Sequence, residues 1–89
     1  MRAVKIIVKG LVQGIGFRYY CYRAATELSI NGYAKNLFNG DVEVFAQGEK
    51  GLINDFIKKI NTGSPFSKVT LVHVEEVKYD DNIKSFKVY

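Results

Sequence analysis

Gly10-Leu11-Val12-Gln13-Gly14-Ile15-Gly16-Phe17-Arg18 is the stretch that decides the fold, because it joins two segments with different hydrophobic periods. Before it, every second residue from Val4 to Val8 is apolar, which is typical of a β-strand. After it, apolar residues between Phe17 and Leu28 recur at intervals of three and four, which is typical of an amphipathic helix. The stretch therefore predicts a turn that leads from a strand into a helix.

The composition of this turn indicates an anion site. It contains Gly10, Gly14 and Gly16, and glycine adopts positive φ and lets the backbone approach a ligand closely. Successive main-chain N–H groups can surround an anion, and the helix N-terminus adds positive potential. Arg18 follows in the first helical turn, where a guanidinium can bind a phosphate through two parallel hydrogen bonds. We expect a phosphate cradle, although such a turn also occurs without any ligand.

Two familiar phosphate-binding motifs do not fit the turn. The Gly-Lys-Ser/Thr ending of a P-loop is missing, and so is the third glycine of the dinucleotide-binding fingerprint. The stretch instead resembles a signature of the acylphosphatase family, Gly-x-Val-Gln-Gly-Val-Gly-Phe-Arg, with Ile15 in place of a valine. The family's second signature, Gly-aromatic-Val-Arg/Lys-Asn, resembles residues 32–36, which read Gly-Tyr-Ala-Lys-Asn. The Asn39-Gly40 turn, the strand after it and the Gly63-Ser64-Pro65 turn also resemble the family pattern, in the same order along nearly the whole chain.

The resemblance implies hydrolysis of the carboxyl-phosphate bond of acyl phosphates to a carboxylate and inorganic phosphate. In that case Arg18 would bind the phosphoryl oxygens and Asn36 would position the attacking water. The phosphate-binding loop would use the main-chain N–H groups of Gln13, Gly14, Ile15, Gly16, Phe17 and Arg18. With no base among these residues, the phosphate of the substrate would accept the proton. Neither a metal nor a cofactor is expected, and the carboxylates of the sequence form no recognisable metal motif.

The remaining patterns predict an α+β fold of the ferredoxin-like type. We expect strands at 3–9, 33–37, 42–48, 69–77 and 85–89, and helices at 17–28 and 52–60. The order βαββαβ, with a short fifth strand, gives an antiparallel sheet with two helices on one face. Residues 1–89 are expected to form a single domain, and Asn39-Gly40 predicts a two-residue type I′ hairpin.

This topology relates the two signatures. Gly10 and Asn36 are expected at the same edge of the sheet, in strands that another strand separates. The gap between those strands is then about 10 Å, which leaves room for a phosphate and a water.

The bulk composition leaves other functions open. The net charge of +4 favours anionic partners, but the lysines are scattered and form no basic stripe. A non-catalytic small-anion module or an RNA-binding module on the same fold are the alternatives. An RNA-binding sheet needs exposed aromatic residues on its central strands, where we find only Phe45. We therefore expect no nucleic-acid partner.

Further expectations concern the location of the protein, its single cysteine and its single histidine. Lys5 and Lys9 interrupt the first apolar run, so no signal peptide is expected and the predicted location is the cytoplasm. We also expect a monomer and no contact with a membrane. Cys21, the one cysteine, falls at an apolar helical position and should be a buried thiol without a catalytic role. His73, the one histidine, falls in the fourth strand, away from the cradle, and is not expected to act as a base.

Overall fold

Alternating apolar residues and two amphipathic segments produce a layer of helices on a β-sheet. The computed structural model describes residues 1–89. Its elements are β1 (Arg2–Leu11), α1 (Phe17–Glu27), β2 (Asn31–Asn36), β3 (Val42–Gly48), α2 (Lys50–Thr62), β4 (Lys68–Glu76) and β5 (Phe86–Val88). The strands form one sheet in the order β4-β1-β3-β2-β5. The ferredoxin-like prediction is confirmed.

The pairing of the strands is antiparallel except at one edge. β1 pairs antiparallel with β3 and β4, and β2 pairs antiparallel with β3. The short β5 instead runs parallel to β2 and adds an edge strand beside it. The ends of β1 and β2 meet at one edge of the sheet as expected, because Val42 of β3 pairs with both Val8 of β1 and Asn36 of β2.

The core lies between the sheet and the two helices. Val4, Ile6 and Val8 of β1 are completely buried on the helix-covered face of the sheet. Phe56 of α2 and Cys21 of α1 pack against them from the helical layer. Burying side chains of this size contributes roughly 1.5–3 kcal/mol each, so this face is the main source of stability.

The predicted boundaries of the helices need small corrections. α1 ends one residue earlier than predicted, at Glu27, and α2 begins two residues earlier, at Lys50. The early start of α2 has a physical cause, because the Glu49 side chain accepts hydrogen bonds from the main-chain N–H groups of Gly51 and Leu52. This N-terminal cap fixes the first turn before the apolar periodicity begins.

The type I′ hairpin predicted at Asn39-Gly40 is wrong. Gly40 has a positive φ of 97°, but Asn39 does not, so only one of the two required residues is left-handed. The connection between β2 and β3 is longer. The main-chain N–H of Leu37 donates to the main-chain oxygen of Asp41, and the main-chain N–H of Gly40 donates to that of Leu37. The Asn39 side chain accepts from the main-chain N–H of Asp41, which stabilises this alternative turn.

Candidate active site

The loop between β1 and α1 forms a cradle that is open to solvent. Gly14 and Gly16 have φ values of 75° and 82°, and a Cβ added at either position would meet no atom within 4 Å. Glycine is therefore required at both for its backbone conformation rather than for lack of space. The loop and the first turn of α1, which includes Arg18, line a cavity of about 250 Å³. Val88 of β5 borders the same cavity. The dimensions and the free space suit a small anion.

Gly10 belongs to the sheet and not to the cradle. β1 continues to Leu11, and its pairing with β4 shifts register between Lys9 and Gly10. A Cβ on Gly10 would overlap the main-chain oxygen of Lys68, so the bulge brings the two backbones too close for any side chain. Of the three glycines in the motif, only Gly14 and Gly16 therefore belong to the loop that forms the cradle.

Arg18 is held beside the cradle by the last residue of the chain. Its Nη1 donates a hydrogen bond to the main-chain oxygen of Tyr89. Tyr89 is itself fixed, because its main-chain N–H donates to the oxygen of Ala34 in β2 at 3.0 Å. The side chain of Arg18 remains partly exposed, so its other guanidinium N–H groups can reach a ligand. Tyr89 contributes only its main-chain oxygen to this contact, so nothing in the sequence indicates its role.

Asn36 lies across from the cradle at the end of β2. It faces the same side of the sheet as Ala34, which is the side that the helices cover. Because β2 ends here, the Asn36 side chain is exposed at the rim of the sheet. β3 alone separates β2 from β1, which is the arrangement that the sequence predicted for the two signatures.

The side chain of Gln13 connects the two halves of the site. Its Nε2 donates hydrogen bonds to the main-chain oxygens of Leu37 and Asp41, both at 2.8 Å. The cradle is thereby tied to the β2–β3 connection that directly follows Asn36. For Gln13, only a main-chain N–H was expected to take part in the site. The presence of glutamine at this place in the motif is the one sequence feature that could have indicated a role for its side chain.

An ion pair stabilises the same connection from the other side. Lys9 Nζ and Asp41 Oδ2 are 2.7 Å apart, and Asp41 is only 8% exposed. Asn39 Nδ2 donates to the same carboxylate oxygen at 3.1 Å. The Asp41 carboxylate thus accepts from two side chains, while the main-chain oxygen of the same residue accepts from Gln13.

The residues that the sequence placed outside the site lie elsewhere in the structure. His73 pairs with Ile7 in the middle of β4, away from the end of β1 where the cradle begins. Cys21 lies on the buried face of α1, and burial raises the pKa of its thiol to about 12. No three His, Cys, Asp or Glu residues lie close enough together to hold a metal ion. No helix combines the length and the apolar character needed to cross a bilayer.

Comparisons with known proteins agree with this geometry. The family model described as Acylphosphatase matches residues 4–88. The chain is 41% identical over 87 residues to an acylphosphatase of Chlorobaculum tepidum, covering 98% of this chain and 95% of that protein. It is 43% identical over 88 residues to an acylphosphatase of Bacillus licheniformis, covering 99% and 98% of the two chains.

A solved structure gives the same result in three dimensions. The crystal structure of acylphosphatase from Bacillus subtilis superimposes with a TM-score of 0.95 at 37% sequence identity. The match covers 100% of this chain and 99% of the other. Family model, sequence relatives and structure coincide over the part of the chain that builds the cradle and the Asn36 edge. The chain belongs to the acylphosphatase family.

Proposed function

We propose that Arg18 and Asn36 carry out acyl phosphate hydrolysis in the cradle of this enzyme. The phosphoryl group binds to the Arg18 guanidinium and to the main-chain N–H groups of residues 13–18. The Asn36 amide positions the attacking water. The observation that supports this most directly is the Gln13 side chain, which ties the cradle to the connection after Asn36.

The reaction needs positioning and charge stabilisation more than acid–base chemistry. The water oxygen attacks phosphorus in line with the carboxylate oxygen that leaves, so a P–O bond forms as the acyl P–O bond breaks. A carboxylate leaves without being protonated, and the water proton passes to a phosphoryl oxygen of the substrate. The Asn36 amide is not basic, and its role is to orient the water. The cationic Arg18 and the N–H groups stabilise the charge on the equatorial oxygens.

The same site defines the small-molecule partners. Inorganic phosphate, the product, fits the cradle and should inhibit competitively. Neither metal nor cofactor takes part in this mechanism, since each role falls to an arginine, an amide or a main-chain group. We also propose that the enzyme acts as a monomer in the cytoplasm.

Nucleic acid is not a proposed partner, because the central strands β1 and β3 present no exposed aromatic ring on the open face of the sheet. Phe45, the aromatic residue of β3 on this face, is only 8% exposed. The ring of Tyr33 stacks on it with centroids 5.8 Å apart. Phe45 is therefore covered, and Tyr33 itself lies on β2 and not on one of the two central strands.

The test is release of phosphate from acetyl phosphate, with and without a chelator. Arg18→Ala should lower kcat/KM by at least about a hundredfold, since it removes a charged group that binds the transferred phosphoryl. Lys58→Ala removes one exposed positive charge outside the cradle and serves as the matched control. Activity of Arg18→Ala close to that of Lys58→Ala, or loss of activity with the chelator, would overturn the proposal.

A further inference from the structure

A second cavity, of about 290 Å³, lies on the open face of the sheet where β5 runs beside β2. We call it the β2–β5 pocket. Its volume is near the lower end of the range for small-molecule sites, about 300–1,000 Å³. The lining comes from the two strands and from the connection before β5, and it includes Tyr33, Asn82, Ile83, Lys84, Lys87 and Tyr89. A compact ligand built on a single ring suits this space.

The connection between β4 and β5, which forms one wall of the pocket, is held by a buried side chain. Gln47 of β3 is only 1% exposed, and its Nε2 donates to the main-chain oxygens of Asp80 and Ile83 at 2.8 and 3.1 Å. Its Oε1 accepts from the main-chain N–H of Asp80 at 2.9 Å. On the strand side, the N–H of Gly32 donates to the main-chain oxygen of Ser85 at 2.9 Å. A ligand therefore meets a preformed site, and little free energy is lost in ordering its walls.

The β2–β5 pocket is positively charged. Lys84 and Lys87 are exposed, and neither takes part in any of the four salt bridges of the structure. No aspartate or glutamate lines the pocket. Glu43, on the same face of the sheet, is balanced by ion pairs with Lys5 and Lys35 and does not offset this charge. Two ammonium groups are therefore free to pair with two anionic groups of one ligand.

Two tyrosine rings give the pocket an aromatic surface. The ring of Tyr33, which stacks on Phe45, meets the ring of Tyr89 edge to face with centroids 5.9 Å apart. Tyr89 is 64% exposed, so much of its ring has no protein neighbour. Aromatic rings pair favourably at such distances, and a flat ligand ring would extend this row. The lining thus combines two cations with aromatic surface, which favours a small aromatic dianion.

β5 separates the pocket from the cradle. Val88 borders the cradle cavity, whereas its neighbours Lys87 and Tyr89 border the β2–β5 pocket, because side chains alternate between the two faces of a strand. Tyr89 reaches both sites, since its ring packs on Tyr33 of the pocket and its main-chain oxygen accepts from Arg18 of the cradle. A ligand that packs on this ring restricts Tyr89, and with it the oxygen that positions Arg18.

We propose that the β2–β5 pocket is a regulatory site for a small aromatic dianion, and that the bound dianion lowers KM for acyl phosphates. Its two anionic groups pair with Lys84 and Lys87, and its ring packs beside Tyr33 and Tyr89. Because Tyr89 is then less mobile, Arg18 loses less conformational freedom when substrate binds. The effect on KM rests on the proposed function, in which Arg18 binds the phosphoryl group, whereas binding of the dianion does not.

Isophthalate is the probe for binding, because it joins one ring to two carboxylates. Glutarate has the same carbon spacing between its carboxylates but no ring, and benzoate has the ring but a single charge. In titrations followed by the amide NMR signals of residues 82–89, isophthalate should bind at least about fivefold more tightly than either control. Lys84→Ala and Lys87→Ala should each weaken it by about twofold to fivefold, as expected for exposed ion pairs, and Lys58→Ala on α2 should not. Equal affinity of isophthalate and glutarate, or no effect of the two pocket variants, would overturn the proposal.

Steady-state kinetics test the link to the cradle. Saturating isophthalate should lower KM for acetyl phosphate, and the inhibition constant of inorganic phosphate, by about twofold to fivefold. Because such coupling is reciprocal, inorganic phosphate should lower the dissociation constant of isophthalate by the same factor as isophthalate lowers the inhibition constant of phosphate. The double variant Lys84→Ala/Lys87→Ala should lose the effect.

Two kinetic outcomes would contradict this proposal. A rise of KM would place isophthalate in the cradle as a competitor of the substrate, and an unchanged KM at saturating isophthalate would show that the two sites are not coupled. Failure of the proposed function looks different, because acetyl phosphate hydrolysis would then survive Arg18→Ala while isophthalate still bound at Lys84 and Lys87.

Discussion

Arg18 donates a hydrogen bond to the main-chain oxygen of Tyr89, a residue 71 positions later in the sequence. The contact crosses from the first turn of α1 to the residue that follows β5. It restricts a long, flexible cation to one side of the cradle without using up its capacity for ligands, since a guanidinium has five N–H donors. The residue that follows β5 thus positions Arg18 through a main-chain oxygen, an atom that every residue type carries.

Removal of Tyr89 should weaken substrate binding. Without the oxygen that holds it, Arg18 samples more conformations, and KM for acetyl phosphate should rise by about threefold to tenfold. Tyr89→Phe keeps the main-chain oxygen and is the matched control, with KM expected near the original value. Steady-state kinetics of both variants checks this. An equal rise of KM in the two variants would show that the Tyr89 hydroxyl, and not the main-chain contact, is responsible.

Asn36→Ala should separate turnover from binding. If Asn36 orients water and the cradle holds the phosphate, kcat should fall by about a hundredfold or more while inhibition by phosphate stays within a few-fold. Asn31→Ala, at the other end of β2, is the control. A loss of phosphate inhibition as large as in Arg18→Ala would instead make Asn36 a phosphate-binding residue.

Gln13→Ala should loosen the link between the cradle and the β2–β3 connection. Two main-chain oxygens lose their donor, and the free energy of unfolding should fall by about 1–2 kcal/mol. Because the cradle then moves relative to Asn36, kcat should fall by about tenfold or more, beyond the loss of stability. Urea unfolding and kinetics at a temperature where the variant is fully folded check both effects. Unchanged kcat in a destabilised variant would limit Gln13 to a structural role.

The pH dependence of kcat should be nearly flat between mildly acidic and neutral pH. A histidine base would change the rate near its ordinary pKa of about 6.5, and a metal-bound water would titrate near 7. The proposed site contains an arginine, an amide and main-chain N–H groups instead. Measurements at saturating acetyl phosphate should give the same profile for His73→Ala and in the presence of a chelator. A bell-shaped profile that His73→Ala abolishes would contradict the mechanism.

Stability should fall at alkaline pH, partly because of Tyr33. Burial, together with the hydrogen bond to Glu43, raises the pKa of Tyr33 from 10.0 to about 12. An unfolded tyrosine releases its proton near pH 10, so between pH 10 and 12 the unfolded state binds fewer protons and unfolding becomes easier. Cys21 acts in the same direction above pH 9, because burial raises its pKa to about 12.

Tyr33→Phe removes the tyrosine contribution to this loss. The variant lacks the hydrogen bond to Glu43, but its free energy of unfolding should decline less steeply between pH 10 and 12. Urea titrations at several alkaline pH values measure both slopes. Identical slopes would mean that Tyr33 does not titrate differently in the two states.

The strands, the helices and the shared edge of the two signatures followed from local patterns. Apolar alternation before Gly10 and helical spacing after Arg18 determine the crossover, and the order of elements then brings Asn36 to the same edge. The preference of an Asn-Gly pair for a two-residue turn gave a wrong prediction at Asn39, where hydrogen bonds with Asp41 favour a longer turn. Apolar spacing placed the start of α2 too late, because that start depends on the Glu49 cap.

The contacts that complete the site could not be predicted in the same way. Gln13 reaches main-chain oxygens more than twenty positions away, and Arg18 reaches one much further along the chain. Main-chain acceptors leave no signature in a sequence, because any residue provides them. Such contacts become visible only once the strands that position them are in place.

The parallel pairing of β5 with β2 ties the recovery of activity in a folding chain to completion of the sheet. β2 can pair with β3 through a short connection, whereas its pairing with β5 must close a loop that contains β3, α2 and β4. Contacts between residues far apart in the sequence form slowly, because closing the intervening loop costs entropy. The pairing of β1 with β4 closes an even longer loop, so both edges of the sheet depend on distant contacts. Arg18 is therefore fixed only when the sheet is complete, and during refolding catalysis should not recover before the sheet structure does.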